Sequence, residues 1–330
     1  MPNNIGLASR YAPLLDEVYK VNARSSILDT PEDRVLFTNA KTVMIYEMRM
    51  NGLSNYSRNG GFDNGSVEGE WVPYTLTKDR GTSLGVDSMD NEETINLAFG
   101  RLSGEFVRTK VAPEIDAYTF STLANTPGII SAQGNIVPGT TNVATLIDNA
   151  EQVLNDAEVP VEGRILFVSE TAWNGLKQDV DRTFENHSDI NKRIVTYNEM
   201  RIIRVPKRRF FKNIQLYDMK VSGQEAGGYI IPTNTPPINF MIVHPSSIIK
   251  VAKHLKVRIW EPDNNLNADA WKFDYRIYHD TFVYRQKQEA IYAHFGTNDP
   301  SPPTPSSILI AEDGFSELIT ESGLPIIGEM

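Results

Sequence analysis

KTVMIYEMRM (41–50), NGLSNYSRNGGFDNGSVEGE (51–70) and WVPYTLTKDR (71–80) decide how the chain is organised. The first run is rich in β-branched and apolar residues and predicts a strand. The second carries Gly52, Gly60, Gly61, Gly65 and Gly69 among Asn and Ser, which predicts an irregular tip and not a core element. The third sets Trp71, Tyr74 and Leu76 among polar residues and predicts a returning strand, which LGVD (84–87) continues. Two strands around a long polar tip make a projecting hairpin. A lone hairpin is marginal in water, so this one is expected to gain stability by lying on something else.

Downstream, VDSMDNEETINLAFGRLSGEFVRTKVAPEIDAYTFSTLA (86–124) is the clearest helix, with Ile95, Ala98, Phe99, Leu102, Phe106 and Val107 at three- and four-residue steps. Asp87, Asp90, Glu92 and Glu93 crowd its start, where acidic groups cap free amide hydrogens and suit the positive end of the dipole. Pro113 lacks the amide hydrogen of an interior turn and predicts a kink. TPGIISAQGNIVPGTT (126–141) reads as a loop. A second helix starts near Asn142, with Val143, Leu146, Ile147, Ala150, Leu154 and Ala157 on one stripe. RILFV, MRIIRV, YII and INFMIV read as strands, and SETAWNGLKQDV (169–180) as a helix capped by Ser169. This alternation predicts an α/β lobe. PSSIIKVAKHL (245–255) reads as a short helix with Pro245 near its start, followed by the strands KVRIW, YRIYHDTFVYR and AIYAHF. Upstream, residues 1–40 read as an extended arm with one short stripe of Leu14, Leu15, Val18 and Val21. Pro300, Pro302, Pro303 and Pro305 form a stiff linker to a tail of short apolar pairs.

The totals narrow the classes. A chain of 330 residues is expected to form two or three linked lobes. Its net charge of -10 argues against a dedicated nucleic-acid binder. With no cysteine, disulfides, thiolate catalysis and cysteine-based zinc sites are excluded. The first residues lack the basic-then-apolar pattern of a secretory signal, and no apolar run is long enough to span a bilayer as a helix.

Chemistry-bearing motifs are sparse. No phosphate-binding glycine loop, dinucleotide fingerprint, HExxH helix or GxSxG elbow occurs. His279 followed by Asp280 is half of a catalytic triad, or a strand residue beside a turn carboxylate; nothing nominates a nucleophile. Asp87, Asp90, Glu92 and Glu93 offer oxygens to Ca²⁺, but the glycine-turned calcium loop is missing and capping accounts for the same residues. RVPKRRFFK is the sharpest basic patch: Arg204, Lys207, Arg208, Arg209 and Lys212 with Phe210 and Phe211. Basic residues interleaved with aromatics suit single strands or phosphates. In an acidic chain the favoured reading is a surface loop that pairs with acidic neighbours.

Three segments, VEGEWVPYTLTKDRGTSLGVDSMDNEET, FVRTKVAPEIDAY and FMIVHPSSIIKVAKHLKVRIWEPDNNLNADAWKFDYRIYHDTFVY, resemble one branch of the tailed-phage major capsid proteins. The residues that carry the resemblance are Asp79-Arg80, Asp87, Met89-Asp90, Glu93-Thr94, Val111 through Tyr118, His244-Pro245 and Tyr278-His279-Asp280, in that order. The resemblance runs from about Lys41 to about His294. It implies an α+β fold of the Hong Kong 97 type: an N-terminal arm (1–40), an extended hairpin loop with flanking strands (41–88), a spine helix of a peripheral domain (89–127), an axial α/β domain (128–243), returning strands (244–298), and a Pro-rich linker with tail (299–330) outside the family core.

The resemblance further implies a non-enzymatic shell protein without cofactor or metal. Such a chain assembles with itself into hexamers and pentamers of an icosahedral head, made in the host cytoplasm and carried in the virion. A portal at one vertex, a decoration protein and weakly contacted double-stranded DNA are the implied partners, with no membrane. The short arm after Met1 carries no fused scaffold, so a separate scaffolding protein is expected. Candidate intersubunit or capping residues are Arg58, Glu68, Glu70, Trp71, Arg80, Asp87, Asp90 and Glu93. The rival readings are a nanocompartment shell of the encapsulin kind, a hydrolytic or metal-dependent enzyme centred on the α/β lobe, and a minor head or decoration protein. Some phage shells join a hairpin lysine covalently to a distant asparagine. No lysine lies between Asn51 and Thr77, so denaturing gels of assembled particles should show one band and no ladder of multimers.

Overall fold

The computed structural model describes residues 22–31, 35–37, 41–53, 56, 58, 66–89, 97–137, 139–181, 196–265 and 268–297. The arm's apolar stripe, the acidic residues Asp90, Glu92 and Glu93, and the linker and tail lie outside the described residues. In chain order the elements are β1 (Leu36–Phe37), β2 (Thr42–Met50), β3 (Val67–Thr75), β4 (Lys78–Asp87), α1 (Leu97–Phe106), a π-helical turn (Val107–Val111), α2 (Ala112–Ala124), β5 (Ile130–Gln133), α3 (Val143–Asp156), β6 (Ile165–Ser169) and α4 (Glu170–Asp181). There follow β7 (Thr196–Tyr197), β8 (Met200–Val205), β9 (Gln215–Leu216), β10 (Tyr229–Ile230), β11 (Ile238–Val243), β12 (Ile248–Trp260), β13 (Ala270–Val283) and β14 (Ile291–Phe295).

The hairpin is β2 against β3, antiparallel from Thr42↔Thr75 to Met50↔Val67. Its returning strand does not run on to Asp87 as the sequence suggested. The chain turns a corner at Leu76 and Thr77, and β4 leaves for a different sheet, pairing with β13. Side chains hold the corner: Leu76 is buried, its carbonyl accepts from the Tyr278 hydroxyl at 2.7 Å, and Asp280 accepts from both the amide and the hydroxyl of Thr77.

Residues 245–255 are not a helix. After a single 3-10 turn, Pro245–Ser247, they open β12, a strand of 13 residues. Three- and four-residue spacing of Ile248, Val251 and Leu255 imitates a helix, but β-branched residues at 248, 249, 251, 257 and 259 favour a pleated backbone. A bulge between Ala252 and His254 shifts the alternation part-way, which hides the period of two. The sheet order is β12-β13-β4. One face buries Val257, Ile259, Phe273, Tyr275 and Ile277 against Val107, Val111 and Ile115 of the long helix. That helix carries its irregularity as a π turn ending just ahead of Pro113, where Ala112 N–H reaches back to Val107 O. The proline thus sits in the first turn of α2, where a missing amide hydrogen costs least.

The larger lobe is a six-stranded sheet of order β5-β14-β11-β6-β8-β7. Strands β6 and β11 are buried along their whole length, so their alternate residues feed two cores. Ile165, Phe167, Met241 and Val243 face Phe120 and Leu123 of α2. Leu166, Val168, Phe240 and Ile242 face Ile147 and Leu154 of α3 and Trp173 and Leu176 of α4. Strand β5 lies inside the stretch that reads as a loop. Its four residues pair in parallel with β14, and such long-range pairing leaves too short a pattern to read.

Asp116 joins these parts. It is fully buried in α2 and accepts hydrogen bonds from the amides of Arg24 and Ser25, each at 2.9 Å, from the Ser25 hydroxyl at 2.6 Å and from Arg209 Nη1 at 3.0 Å. Lys250, nearly buried in β12, donates to the Ser25 carbonyl and hydroxyl and pairs with Asp29 at 2.7 Å. Residues 22–30 are thereby fixed to the helix, to β12 and to the turn that carries Arg209. Removing the carboxylate takes the acceptor from two amides and the Ser25 hydroxyl and leaves Arg209 with the Asn22 carbonyl but without its counter-charge. Asp116→Ala should cost about 3 kcal/mol or more in denaturant unfolding, and Asp116→Asn less, because the amide oxygen still accepts.

Candidate assembly surface

The pairing register of β2 and β3 sorts their side chains onto two faces. At the root, Val43, Ile45 and Val72 are buried on one face, and Val43 and Ile45 pack with Leu76, Ile249, Val251 and Tyr278. Farther out, the same face carries Glu47, Glu68 and Glu70. The opposite face holds Tyr46, Met48, Met50, Val67 and Trp71, all exposed; Met50 is 69% exposed and Trp71 46%. Tyr46 and Trp71 meet edge to face at 5.4 Å. Gly69 has no side chain because the Tyr46 ring lies over it. Tyr46, Glu47 and Met48 also line a cleft of about 270 Å³ with Tyr284, Gln286 and Lys287. Scattered exposed apolar residues are ordinary; a contiguous stripe of aromatics and methionines is the composition of an interface.

The residues nominated from sequence do not converge on one site. Trp71 lies on the apolar stripe, Glu68 and Glu70 are exposed on the other face, and Arg58 is exposed toward the tip. Arg80 is committed within the chain: it forks onto Glu114 (2.6 and 3.2 Å) and donates to the carbonyls of Tyr217 and Gly228. Asp87 ends β4 and accepts the Met89 amide, while Asp90 and Glu93 fall outside the described residues.

The basic patch is divided. Arg204 forks onto Glu170 and stacks over Trp173, Arg209 pairs with Asp116, and Lys212 lies over the Phe295 ring. Lys207 and Arg208 are exposed, but Phe210 and Phe211 are buried core residues and present no ring on which a base could stack. Among the described residues, no group of three or more histidine and carboxylate side chains is arranged to hold a metal ion.

His279 and Asp280 stand beside the hairpin root. Asp280 accepts from Thr77 and from the Tyr118 hydroxyl at 2.7 Å, which fixes the corner to α2. The His279 ring meets Tyr118 edge to face. Among the described residues no serine or threonine hydroxyl is hydrogen-bonded to His279, and Asp280 turns to Thr77 and Tyr118. Asp116 and Lys250 went unnoticed in the sequence. A hint exists: Asp116 falls between Ile115 and Ala117 on the apolar side of its helix, where an exposed carboxylate is not expected.

No protein-family model matches the chain, and no curated protein matches it. Solved structures do. A chain from Mycobacterium phage Che8 aligns at 16% identity over 81% of this chain and 89% of its own length, with a TM-score of 0.57. A chain of the mature capsid of bacteriophage PhiM1 aligns at 15% identity, covering 79% and 83%, with a TM-score of 0.54. One from the capsid of Cyanophage P-SCSP1u aligns at 13%, covering 80% and 85%, also at 0.54. The chain has the phage-capsid fold. Beside the hairpin corner one histidine is buried. His279 is pushed down to about 4, first by burial and next by the Lys250 charge. The unfolded chain binds this proton near 6.5 and the folded chain does not, so stability present above 6.5 is lost as the pH falls toward about 4. Denaturant unfolding should show a loss on the order of 3 kcal/mol across that window, and His279→Leu should flatten part of the slope.

Proposed function

We propose that this chain is the major capsid protein of a tailed double-stranded-DNA phage, building the head through hexamers and pentamers of itself. The observation that carries this is the stripe of Tyr46, Met48, Met50, Val67 and Trp71, exposed on a projecting hairpin within a phage-capsid fold. A hairpin this long cannot cover both of its faces within one chain. Covering the stripe with an adjacent copy would contribute on the order of 1–2 kcal/mol per large side chain. Contacts of that size, repeated around a closed shell, add up without any single strong interface. In this reading residues 41–88 are the extended hairpin loop with its flanking strands, of which β4 joins the long helix, β12 and β13 in the peripheral domain, and the six-stranded sheet forms the axial domain. A separate scaffolding protein, a portal, a decoration protein and the packaged DNA are the partners. The divided, largely paired basic residues suit weak contact with DNA and no sequence readout.

Negative-stain electron microscopy of the chain expressed alone and with its neighbouring head genes is the test. Closed shells or rings of six and five are expected, and a chain that stays monomeric at high concentration in both preparations would overturn the reading. Tyr46→Ser with Trp71→Ser should abolish shells while leaving the unfolding midpoint near that of the wild type, because both side chains are exposed in the single chain.

A further inference from the structure

The six-stranded sheet ends at β5, which pairs with β14 on one side and with no described strand on the other. The Gly134 amide donates to the Phe295 carbonyl at 2.8 Å. Parallel strands turn successive peptide groups to alternate sides, so those of Ser131 and Gln133 point away from β14. No described group outside the sheet bonds to them, and both residues are exposed. An open edge of this kind is a template for a further strand, and folded proteins cover it. Beside it lies a cavity of about 190 Å³, lined by Ser131, Ala132, Gln133, Lys212, Pro236 and Phe295. About 150 Å³ is enough for a group the size of benzene, so an aliphatic side chain fits here. Lys212 lies 4.9 Å from the centre of the Phe295 ring and makes no ion pair among the described residues.

The chain itself leads to this edge. Gly296 N donates to the Pro237 carbonyl and Thr297 N to Asn135 Oδ1, so residues 296 and 297 lie just past the end of β5. Residues 298–330 follow, carrying Asp299, Glu312, Asp313, Glu317, Glu321 and Glu329 and no basic side chain. Within them ILIA (308–311) stands between PSS (305–307) and EDG (312–314). A run that is apolar at every position and bounded by turn residues suits a strand with both faces covered. Strands β6 and β11 have that pattern and belong to this same sheet. The distances agree. Residues 300–305, as a proline-rich strut, span roughly 19 Å at about 3.1 Å per residue. From the end of β14 back to the start of the outer edge of β5 is about 13 Å along the strand and about 10 Å across two strand spacings, roughly 16 Å in all.

We propose that residues 308–311 of the chain's own tail pair with the outer edge of β5, parallel to it, as one more strand of this sheet. In that direction Glu312 and Asp313 emerge at the Phe295 end, beside Lys212, and an aliphatic side chain of the run enters the cavity. The tail thereby clasps the edge of the lobe from which it departs. This inference does not depend on the shell reading.

Because the chain has no cysteine, engineered pairs test this directly. In the full chain Gln133→Cys is combined with a single cysteine at each position from 307 to 312, and disulfides formed under mild oxidation are mapped by mass spectrometry. Links within one chain are expected, about fivefold or more stronger at every second position, because only same-face side chains of paired strands come within bonding distance. Val153→Cys, on the exposed side of α3, replaces Gln133→Cys to give the collision background. In hydrogen exchange the Ser131 and Gln133 amides should be protected. Ile308→Asp with Ile310→Asp should speed their exchange by about tenfold or more and leave that of Met241, in the sheet centre, unchanged, which shows that the variant still folds. Links at background level, links equal at all positions, or edge amides that exchange freely in the unaltered chain overturn the pairing. Links that join two chains on a denaturing gel place the tail on another copy and overturn the own-chain assignment. None of these readings turns on whether shells form.

Discussion

One buried carboxylate sets the frame of the molecule. Asp116 is fully buried, so its oxygens must be satisfied by groups brought from elsewhere in the chain. Those groups come from residues 24 and 25 and from Arg209, nearly two hundred positions apart in sequence. Ser25 then passes the constraint to Lys250 and so to β12. A network of this kind is costly when any member is missing and directional when all are present. It therefore specifies the relative placement of helix, arm and sheet more tightly than the apolar contacts around it, which tolerate repacking.

The helix that carries Asp116 applies the same device along its length. Glu114 holds Arg80 of β4, Tyr118 holds Asp280 at the hairpin corner, and Ser121 accepts a place beside Lys212 by donating to its carbonyl. Between these polar positions Ile115, Phe120 and Leu123 enter two different cores. One helix thus fixes both lobes and the base of the hairpin, and the hairpin departs from a rigid corner, not from a hinge. A projecting arm is useful for assembly only if its direction is set before the partner arrives, because ordering it during association would subtract from binding.

What the sequence allowed one to read follows from which interactions are local. Helix α3, strands β6, β8 and β11 and the hairpin were legible because each has its own period or composition over a short window. Strand β12 was not, since its bulge breaks the alternation and its apolar spacing imitates a helix. Strand β5 was not, since a neighbour more than 150 residues away in sequence defines it. The surface was legible in part. Trp71, Glu68 and Glu70 were nominated, but sequence alone does not say that Trp71 and the two glutamates point to opposite sides. That follows from period-two geometry once the strand's start is known. The paired groups Asp116 and Lys250 stayed hidden, and Asp280 was singled out without its partners, because a buried ion is recognised only by its partners, and those lie far apart in the chain.

The root of the hairpin explains why its two faces can be so different. A slip of one residue between β2 and β3 would exchange them, moving Trp71 to the acidic side and Glu70 to the apolar one. At the exposed end the described contacts across the pair are surface ones, such as Tyr46 against Trp71. At the root, however, Val43, Ile45 and Val72 are buried, and a slip would drive Thr42, Met44 and Pro73 into that core and expose the valines and isoleucine. The Tyr278 and Thr77 bonds at the corner fix where β3 ends. Register chosen in the interior is thus transmitted outward along the pleat, and the pattern presented to a neighbouring molecule is decided by side chains that the neighbour never touches.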